Sequence, residues 1–500
     1  MKAMKLFLLF LPSLLAANTP CQLIGTLSLP NTAIDFTVRS AATTMLGPGD
    51  FLVKIPSFCR IGGVIRPSND SEIHFEVWLP ESDWNGRFRG VGNGGFAGSL
   101  NYSEMASALH DGYATASTDT GHRADGIDAD WALGHPEKIT DFGYRAIHEM
   151  TVQAKAIVQS FYGEAPKHSF FASCSNGGRQ ALMEAQRFPE DYDGILAGAP
   201  ANFWTHLLVA NFYAFGIPML ENPARYLPAE KIPALAAAVL AACDASDGLK
   251  DGILSDPTSC HFDPSAILCQ GPETKNCLTK PQITTLKAIY QGTPNIFPGY
   301  EPGGEDGPGG WSGWITGSKP GLSAGALFST GFLRNMVFND SKWTFKGTNL
   351  ADTLATADAK MGPILNSTDP NLKPFADRGG KLIMYHGWSD AAIPPLNAVN
   401  YYKSITVNNL QEFSRLYMLP GVQHCFGGPG PSSYSDMFTS LVAWVEKGSA
   451  PDSIVATKYQ NDDPSQPVEM KRPMCPYPLV PTYDGKGNPK DATSFSCATR

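Results

Sequence analysis

The chain has 500 residues, of which 43% are hydrophobic and 17% charged; this excludes a disordered polymer and, at this length, implies one large domain with a big insertion, or two domains. The net charge is −9 from 38 basic and 47 acidic residues, with no run of Lys or Arg, which argues against nucleic acid or an anionic membrane as partner.

Residues 1–17 carry Lys2 and Lys5, an apolar stretch over 6–15 and then Ala16-Ala17, the pattern of a secretory signal peptide too short for a permanent anchor. No other segment reads as apolar enough to cross a bilayer, so the mature chain is expected to be soluble and exported. Residues 18–70 read as a β-rich entry segment. Residues 73–79 alternate and stop at Pro80, a strand, and 87–91 form a further short strand. That strand runs into Gly92-Asn93-Gly94-Gly95-Phe96-Ala97-Gly98. Such a loop can cradle phosphate, offer N–H groups to an oxyanion, or simply turn the chain through positive φ; it has neither the Walker lysine nor a Rossmann acid.

A strand is expected over 112–117, then a polar loop over 118–144. Its His122, Asp125, Asp128, Asp130 and His135 match no metal-ligand spacing and read as solvated loop residues. Residues 141–162 read as a helix whose apolar face carries Ala146, Ile147, Met150, Ala154, Ile157 and Val158. A buried strand over 168–174 follows, then Ser175, the small residues Asn176-Gly177-Gly178, and a helix bearing Ala181, Leu182, Met183 and Ala185. Strand, sharp turn and helix are the layout of a nucleophile elbow, although Ser173 stands where such elbows carry glycine. Taken alone, a serine in a glycine-rich turn is more often just a turn or N-cap residue. With a strand over 194–198, the alternation of strand and helix predicts a parallel α/β sheet.

From about residue 203 that rhythm stops. Phe203, Trp204, Phe212, Tyr213 and Phe215 cluster, an Ala-rich helix covers 228–243, and a Gly/Pro-rich passage over 299–321 holds Trp311 and Trp314. Residues 203–376 read as a lid whose aromatics form partly a core of their own. Within it, Asp244, Asp247 and Asp251 share a loop with Gly248 and Gly252. This suits a hard cation such as calcium, the alternative being a solvated pair of Asp-Gly turns, and it is not an EF-hand. Strands over 381–386 and 415–419 then return to the sheet and end at Asp390 and at His424-Cys425. The chain order Ser, Asp, His suits an acyl-transfer triad of Ser175, Asp390 and His424, with oxyanion donors from Asn176 and from Gly94 or Gly95.

Ten cysteines in an exported chain point to disulfides. Cys21 with Cys59, Cys243 with Cys260, Cys269 with Cys277 and Cys475 with Cys497 are near in sequence, but sequence does not fix connectivity. If near neighbours pair, Cys174 and Cys425 remain for each other. A bond between them would hold their Cα atoms about 4.4–6.8 Å apart and bring Ser175 and His424 together. Asn69, Asn101, Asn339 and Asn366 head glycosylation sequons.

Cys174-Ser175-x-Gly177-Gly178, Asp390 and His424-Cys425 resemble the arrangement of the tannase and feruloyl esterase family, as do Gly92-Asn93-Gly94-Gly95, His135-Pro136-Glu137 and the loop over 244–253. The resemblance spans nearly the whole chain. It implies an α/β-hydrolase domain over 18–202 and 377–500, with a lid over 203–376. It also implies structural calcium held by Asp244, Asp247, Asp251 and the main-chain oxygens of Leu249 and Ile253, and no organic cofactor. The implied activity is hydrolysis of phenolic-acid esters, either hydroxycinnamates such as ferulate on cell-wall polysaccharide (the B type) or gallate in tannins. A third reading is a non-catalytic relic that binds phenolics or carbohydrate. Oligomeric state stays open.

Overall fold

The computed structural model describes residues 19–499; the expected signal peptide lies outside them. Nine strands form the central sheet: β1 (Thr32–Ser40), β2 (Phe58–Ile65), β3 (Ile73–Pro80), β4 (Arg87–Val91), β5 (Ala114–Thr118), β6 (His168–Cys174), β7 (Gly194–Gly198), β8 (Lys381–Gly387) and β9 (Ser414–Leu419). Their spatial order is β1-β2-β3-β5-β4-β6-β7-β8-β9. The pairs from β1 to β5 are antiparallel, and every pair from β5 to β9 is parallel. The parallel strands are covered on both faces, so β5, β7 and β9 are buried at every residue. Order, direction and crossovers are those of an α/β-hydrolase.

The longer helices are α1 (Tyr102–His110), α2 (Ala146–Tyr162), α3 (Asn176–Arg187), α4 (Trp204–Asn211), α5 (Ile232–Cys243), α6 (Lys280–Gln291), α7 (Ala324–Gly331), α8 (Leu350–Leu365), α9 (Leu396–Ser404) and α10 (Tyr434–Lys447). The helix expected over 141–162 divides: Asp141–Arg145 is a π-turn, and α2 follows it and stops at Gly163, whose φ of 77° only glycine adopts readily. Ile147, Met150, Ala154, Ile157 and Val158 of α2 pack on the sheet beside Ala181, Leu182 and Ala185 of α3. Asp191 Oδ2 meets His148 Nδ1 at 2.6 Å, and the Glu184 carboxyl lies against Asp191 with, among the described residues, no N–H or O–H donor on either oxygen. Burial, then the Asp191 charge, push Glu184 well above the usual carboxyl range, so it holds its proton and donates to Asp191.

Residues 199–380, between β7 and β8, add no strand to the sheet. Their aromatics divide between two roles. Phe215, Leu235, Val239, Leu286, Tyr300 and Trp311 form a core internal to the insertion, whereas Trp204, Leu208, Phe212, Phe332 and Leu354 pack with Phe96, Ala129, Phe142 and Ile393 of the sheet domain.

Residues 223–247 reach the mean hydropathy of a membrane span, 1.3, contrary to the expectation that no second segment does. Pro228 interrupts them and Pro233 stands in the first turn of α5, leaving that helix as 12 residues, about 18 Å against the roughly 30 Å of a bilayer core. Ile232, Leu235 and Val239 turn this helix onto the core of the insertion. Two antiparallel pairs close the chain, Ile454–Tyr459 with Val468–Met474 and Val480–Tyr483 with Phe495–Ala498; a third, Thr43–Leu46 with Leu52–Ile55, lies near its start.

Candidate active site

Ser175 sits in the turn between β6 and α3 with φ 67° and ψ −125°, a backbone conformation costly for any residue but glycine. Stored strain of this kind lifts the hydroxyl clear of the strand. The turn is tight enough that a Cβ on Gly178 would lie 2.2 Å from the Gly198 carbonyl oxygen. Ser173, the departure from the usual elbow, is accommodated from the other side: its Oγ fills the space where a Gly177 Cβ would sit, 1.9 Å away. Glycine at 177 thus does for this elbow what glycine two residues before the serine does elsewhere.

Two buried side chains of α3 fasten the turn, and neither was foreseen in the sequence. Arg179, fully buried, donates to Asn176 Oδ1 and to the carbonyls of Gly143, Phe142 and Leu365, and lies over the Phe142 and Trp204 rings. Burial lowers its pKa to about 9, still charged at neutral pH. Gln180 accepts from Asn93 N and donates to Asn93 Oδ1, while Asn93 Nδ2 reaches the carbonyls of Ser99 and Thr118. The glycine-rich loop is therefore clamped to the elbow helix.

That clamp sets the glycine-rich loop beside Ser175. Asn176 opens α3, so its N–H has no carbonyl one turn back, and Asn176, Gly95 and Ser175 line one pocket. Gly95 holds φ 55°, and a Cβ there would sit 2.2 Å from the Gly126 oxygen, so glycine is obligatory. Gly94 precedes it in open space, and Phe96 N bonds Gly126 O. His122, expected as a solvated residue, is buried: its ring stacks on Trp131 at 3.6 Å and Nε2 bonds the Phe96 carbonyl. Burial lowers its pKa to about 4, so it supports the loop as a neutral ring. Asp125, Asp128 and Asp130 are exposed as expected, and His135 is half-buried with Nδ1 3.0 Å from Asp70.

His424 and Asp390 follow the carboxyl ends of β9 and β8, beside the elbow. Ser175 Oγ lies 2.9 Å from His424 Nε2, and His424 Nδ1 lies 2.8 Å from Asp390 Oδ2. Asp390 is buried; its desolvation is outweighed by His424 and His386, which hold the carboxyl far below its ordinary range, so it stays ionised. Cys425 has φ 67° and bonds Cys174, with Cα atoms 5.9 Å apart across 251 residues of sequence. The other bridges join Cys21–Cys59, Cys243–Cys260, Cys269–Cys277 and Cys475–Cys497.

The insertion roofs this site. Trp204, Leu207, Leu208, Phe212, Phe215, Met219, Trp314, Ile315 and Phe328 line the pocket above Ser175 and His424, with Asn211, Tyr300, Ser323 and Ser329 as its polar members. The Trp314 ring faces the His424 ring edge to face at 5.3 Å. Gln423, beside His424, accepts from Gly309 N and donates to the Asp306 carbonyl, tying the histidine loop to the roof.

No residue of the acidic loop over 244–253 lines that pocket. Gly248 and Gly252 are left-handed, and the carboxylates bond nearby amides: Asp244 Oδ1 accepts from Gly252 N, Asp247 from Leu249 N and Ser255 N, and Asp251 from Ile253 N and the Arg472 guanidinium. Burial, against those amide bonds and with the neighbouring charges of Asp251 and Asp247, raises Asp244 above the ordinary carboxyl range. Among the described residues, the ligating side chains whose donor atoms converge within 4.8 Å are instead His148, Glu184 and Asp191. Of the sequon residues, Asn69 and Asn339 are exposed. Asn101 Nδ2 donates to the Gly92 carbonyl and Asn366 Nδ2 to Thr205 Oγ1, bonds that a sugar would displace.

A serine with a histidine and an ionised carboxylate in series, under an apolar roof, is equipped for acyl transfer. Comparison with known proteins agrees. The model of the tannase and feruloyl esterase family matches residues 59–498. The chain is 40% identical to an uncharacterized esterase of Xanthomonas campestris pv. campestris over 96% of this chain and 92% of that one. It is 33% identical to the mono(2-hydroxyethyl) terephthalate hydrolase of Piscinibacter sakaiensis, covering 97% and 92%. The crystal structure of feruloyl esterase B from Aspergillus oryzae superposes with a TM-score of 0.85 at 28% identity, covering 96% of this chain and all of that one. The chain belongs to the tannase and feruloyl esterase family and is a carboxylic ester hydrolase.

Proposed function

We propose that the protein is a secreted serine esterase that releases hydroxycinnamic acids such as ferulic acid from plant cell-wall polysaccharide. His424 takes the Ser175 proton as Oγ attacks the ester carbonyl, then delivers it to the departing sugar alkoxide. Asp390 holds Nδ1–H and stabilises the imidazolium. The N–H groups of Asn176 and Gly95 or Gly94 receive the oxyanion, each worth about 3 kcal/mol. Water then enters by the same route and frees the acid from the acyl-serine.

The observation that carries this reading is the hydrogen-bonded series Ser175, His424, Asp390 beneath an aromatic, mostly apolar pocket. An apolar slot fits a cinnamoyl ring and its propenyl arm better than the three hydroxyls of a galloyl group, which would each need a polar partner. The five disulfides favour an oxidising, extracellular setting. The relatives' printed names extend to a terephthalate monoester, so that substrate joins the assay. Purified protein is given methyl ferulate, methyl caffeate, methyl gallate and mono(2-hydroxyethyl) terephthalate. Turnover of the two cinnamates above the others, abolished by Ser175→Ala, is the expected result. Preference for gallate makes it a tannase, and a Ser175→Ala variant with wild-type turnover removes the mechanism.

The proposal includes calcium in the loop over 244–253. The donors there are all oxygen, which is what calcium selects, and Asp244 lies partly desolvated beside Asp247 and Asp251, where a cation would offset the carboxylate charge. Asp244, Asp247, Asp251 and the main-chain oxygens of Leu249 and Ile253 would hold it. Bound there, the ion is structural and supplies no step of the reaction.

A further inference from the structure

We infer that His386 is a positioning residue for the reaction: it locks the Asp390 carboxylate in place and shares the oxygen that faces His424, an inference that rests on the serine mechanism proposed above. His386 lies in β8, four residues before Asp390, and is fully buried. Its Nε2 is 3.0 Å from Asp390 Oδ2 and 3.1 Å from the Ile393 carbonyl oxygen. Both neighbours are acceptors only, so Nε2 carries the hydrogen; it donates to the Ile393 carbonyl, with Asp390 Oδ2 beside the same N–H. Among the described residues, Nδ1 is buried without a hydrogen-bond partner.

Asp390 is thereby hemmed in. Oδ1 accepts from the amides of Ala392 at 2.8 Å and Ile393 at 2.9 Å, Oδ2 accepts from His424, and His386 Nε2 lies 3.0 Å from the same Oδ2. A carboxylate offers about four acceptor sites, and here two are filled by the turn after β8 while His386 stands against a third. Rotating the carboxylate away from His424 would break both amide bonds at once and pull Oδ2 from His386. Sharing has a second consequence. Part of the charge on Oδ2 is already spent on His386, so an imidazolium forming on His424 meets a weaker anion than an undivided carboxylate would be.

The other groups facing this pair do not duplicate that role. Tyr300 and Tyr385 feel the Asp390 charge, but burial raises both above the working range; Ser175 and the Trp314 ring face His424.

The test compares the full chain with His386→Leu, which fills the space without a donor, and His386→Gln, which restores an N–H. The substrates are methyl ferulate and 4-nitrophenyl butyrate, read as kcat and KM from pH 4.5 to 9. His386→Leu should lower kcat about ten-fold with KM within about two-fold, as a loosened base would. The acidic limb of kcat/KM should move up by about half a pH unit, and Gln should recover most of both changes. Should the Leu variant not fold, His386→Asn, whose amide is too short to span the gap, must show the same loss. An unchanged kcat and acidic limb in a folded Leu or Asn variant overturns the inference, as does equal loss in Leu and Gln variants with native unfolding midpoints. Ser175→Ala separates the two claims: if it stays active the serine reading has failed, whereas a dead Ser175→Ala beside normal His386 variants condemns only the positioning role.

Discussion

Gly177→Ala tests the account of the unusual elbow. The added Cβ would lie 1.9 Å from Ser173 Oγ, 2.6 Å from Ser173 Cβ and 3.3 Å from the Asn93 carbonyl oxygen. Rotating Ser173 moves its hydroxyl but not its Cβ, which β6 holds. Alanine gains about 1 kcal/mol over glycine in a helix, while overpacking a fixed core costs about 1–3 kcal/mol, and contacts this short lie at the upper end. The net loss should be about 2 kcal/mol in urea unfolding, with kcat down about 100-fold because Ser175 and the Asn176 N–H shift with the helix start. Ser173→Gly removes both offending atoms, leaving the Asn93 oxygen at a distance a small adjustment accepts. In that background Gly177→Ala should cost nothing, a coupling of about 2 kcal/mol in the double-mutant cycle. Gly178→Ala is the control: its clash is with the Gly198 carbonyl, which no side-chain change relieves. An equal penalty for Gly177→Ala in both backgrounds would refute the packing argument.

Glu184→Gln should raise stability at alkaline pH and leave it nearly unchanged at acid pH. Because burial raises Glu184 in the native state, the folded chain holds a proton that the unfolded chain releases, and wild-type stability falls as pH climbs above the ordinary carboxyl range. The amide has no such slope, so unfolding midpoints at pH 5 and pH 8 should diverge by about 1 kcal/mol; parallel curves contradict the protonated reading. Replacing both Cys174 and Cys425 with alanine should reduce kcat more than it reduces stability, since the bridge registers Ser175 against His424. Full kcat in that double variant removes the disulfide from the mechanism. Chelation should lower the thermal midpoint and calcium, not magnesium, should restore it, with Asp244→Asn insensitive to both.

The parts that sequence made legible share a physical cause. Strands such as β6 and β7 are runs buried on both faces, so their composition alone marks them, and the order of Ser175, Asp390 and His424 follows from their positions after such runs. The pair Thr43–Leu46 and Leu52–Ile55 escaped because it lies largely on the surface, where side chains carry little pattern. His122 escaped for the opposite reason. It sits in a polar stretch, and only the distant Trp131 ring and Phe96 carbonyl make it a core residue. Arg179 and Glu184 are charged residues on a short helix that composition assigns to solvent. They are buried because α3 is enclosed on all sides, with partners up to 186 residues away. His386 is hidden inside an apolar strand, where a lone histidine reads as filler until the turn after β8 brings Asp390 back to it. The three residues of the proposed triad were thus marked by local chemistry, but the groups packed against them were not, because their meaning lies in contacts that only the folded chain makes.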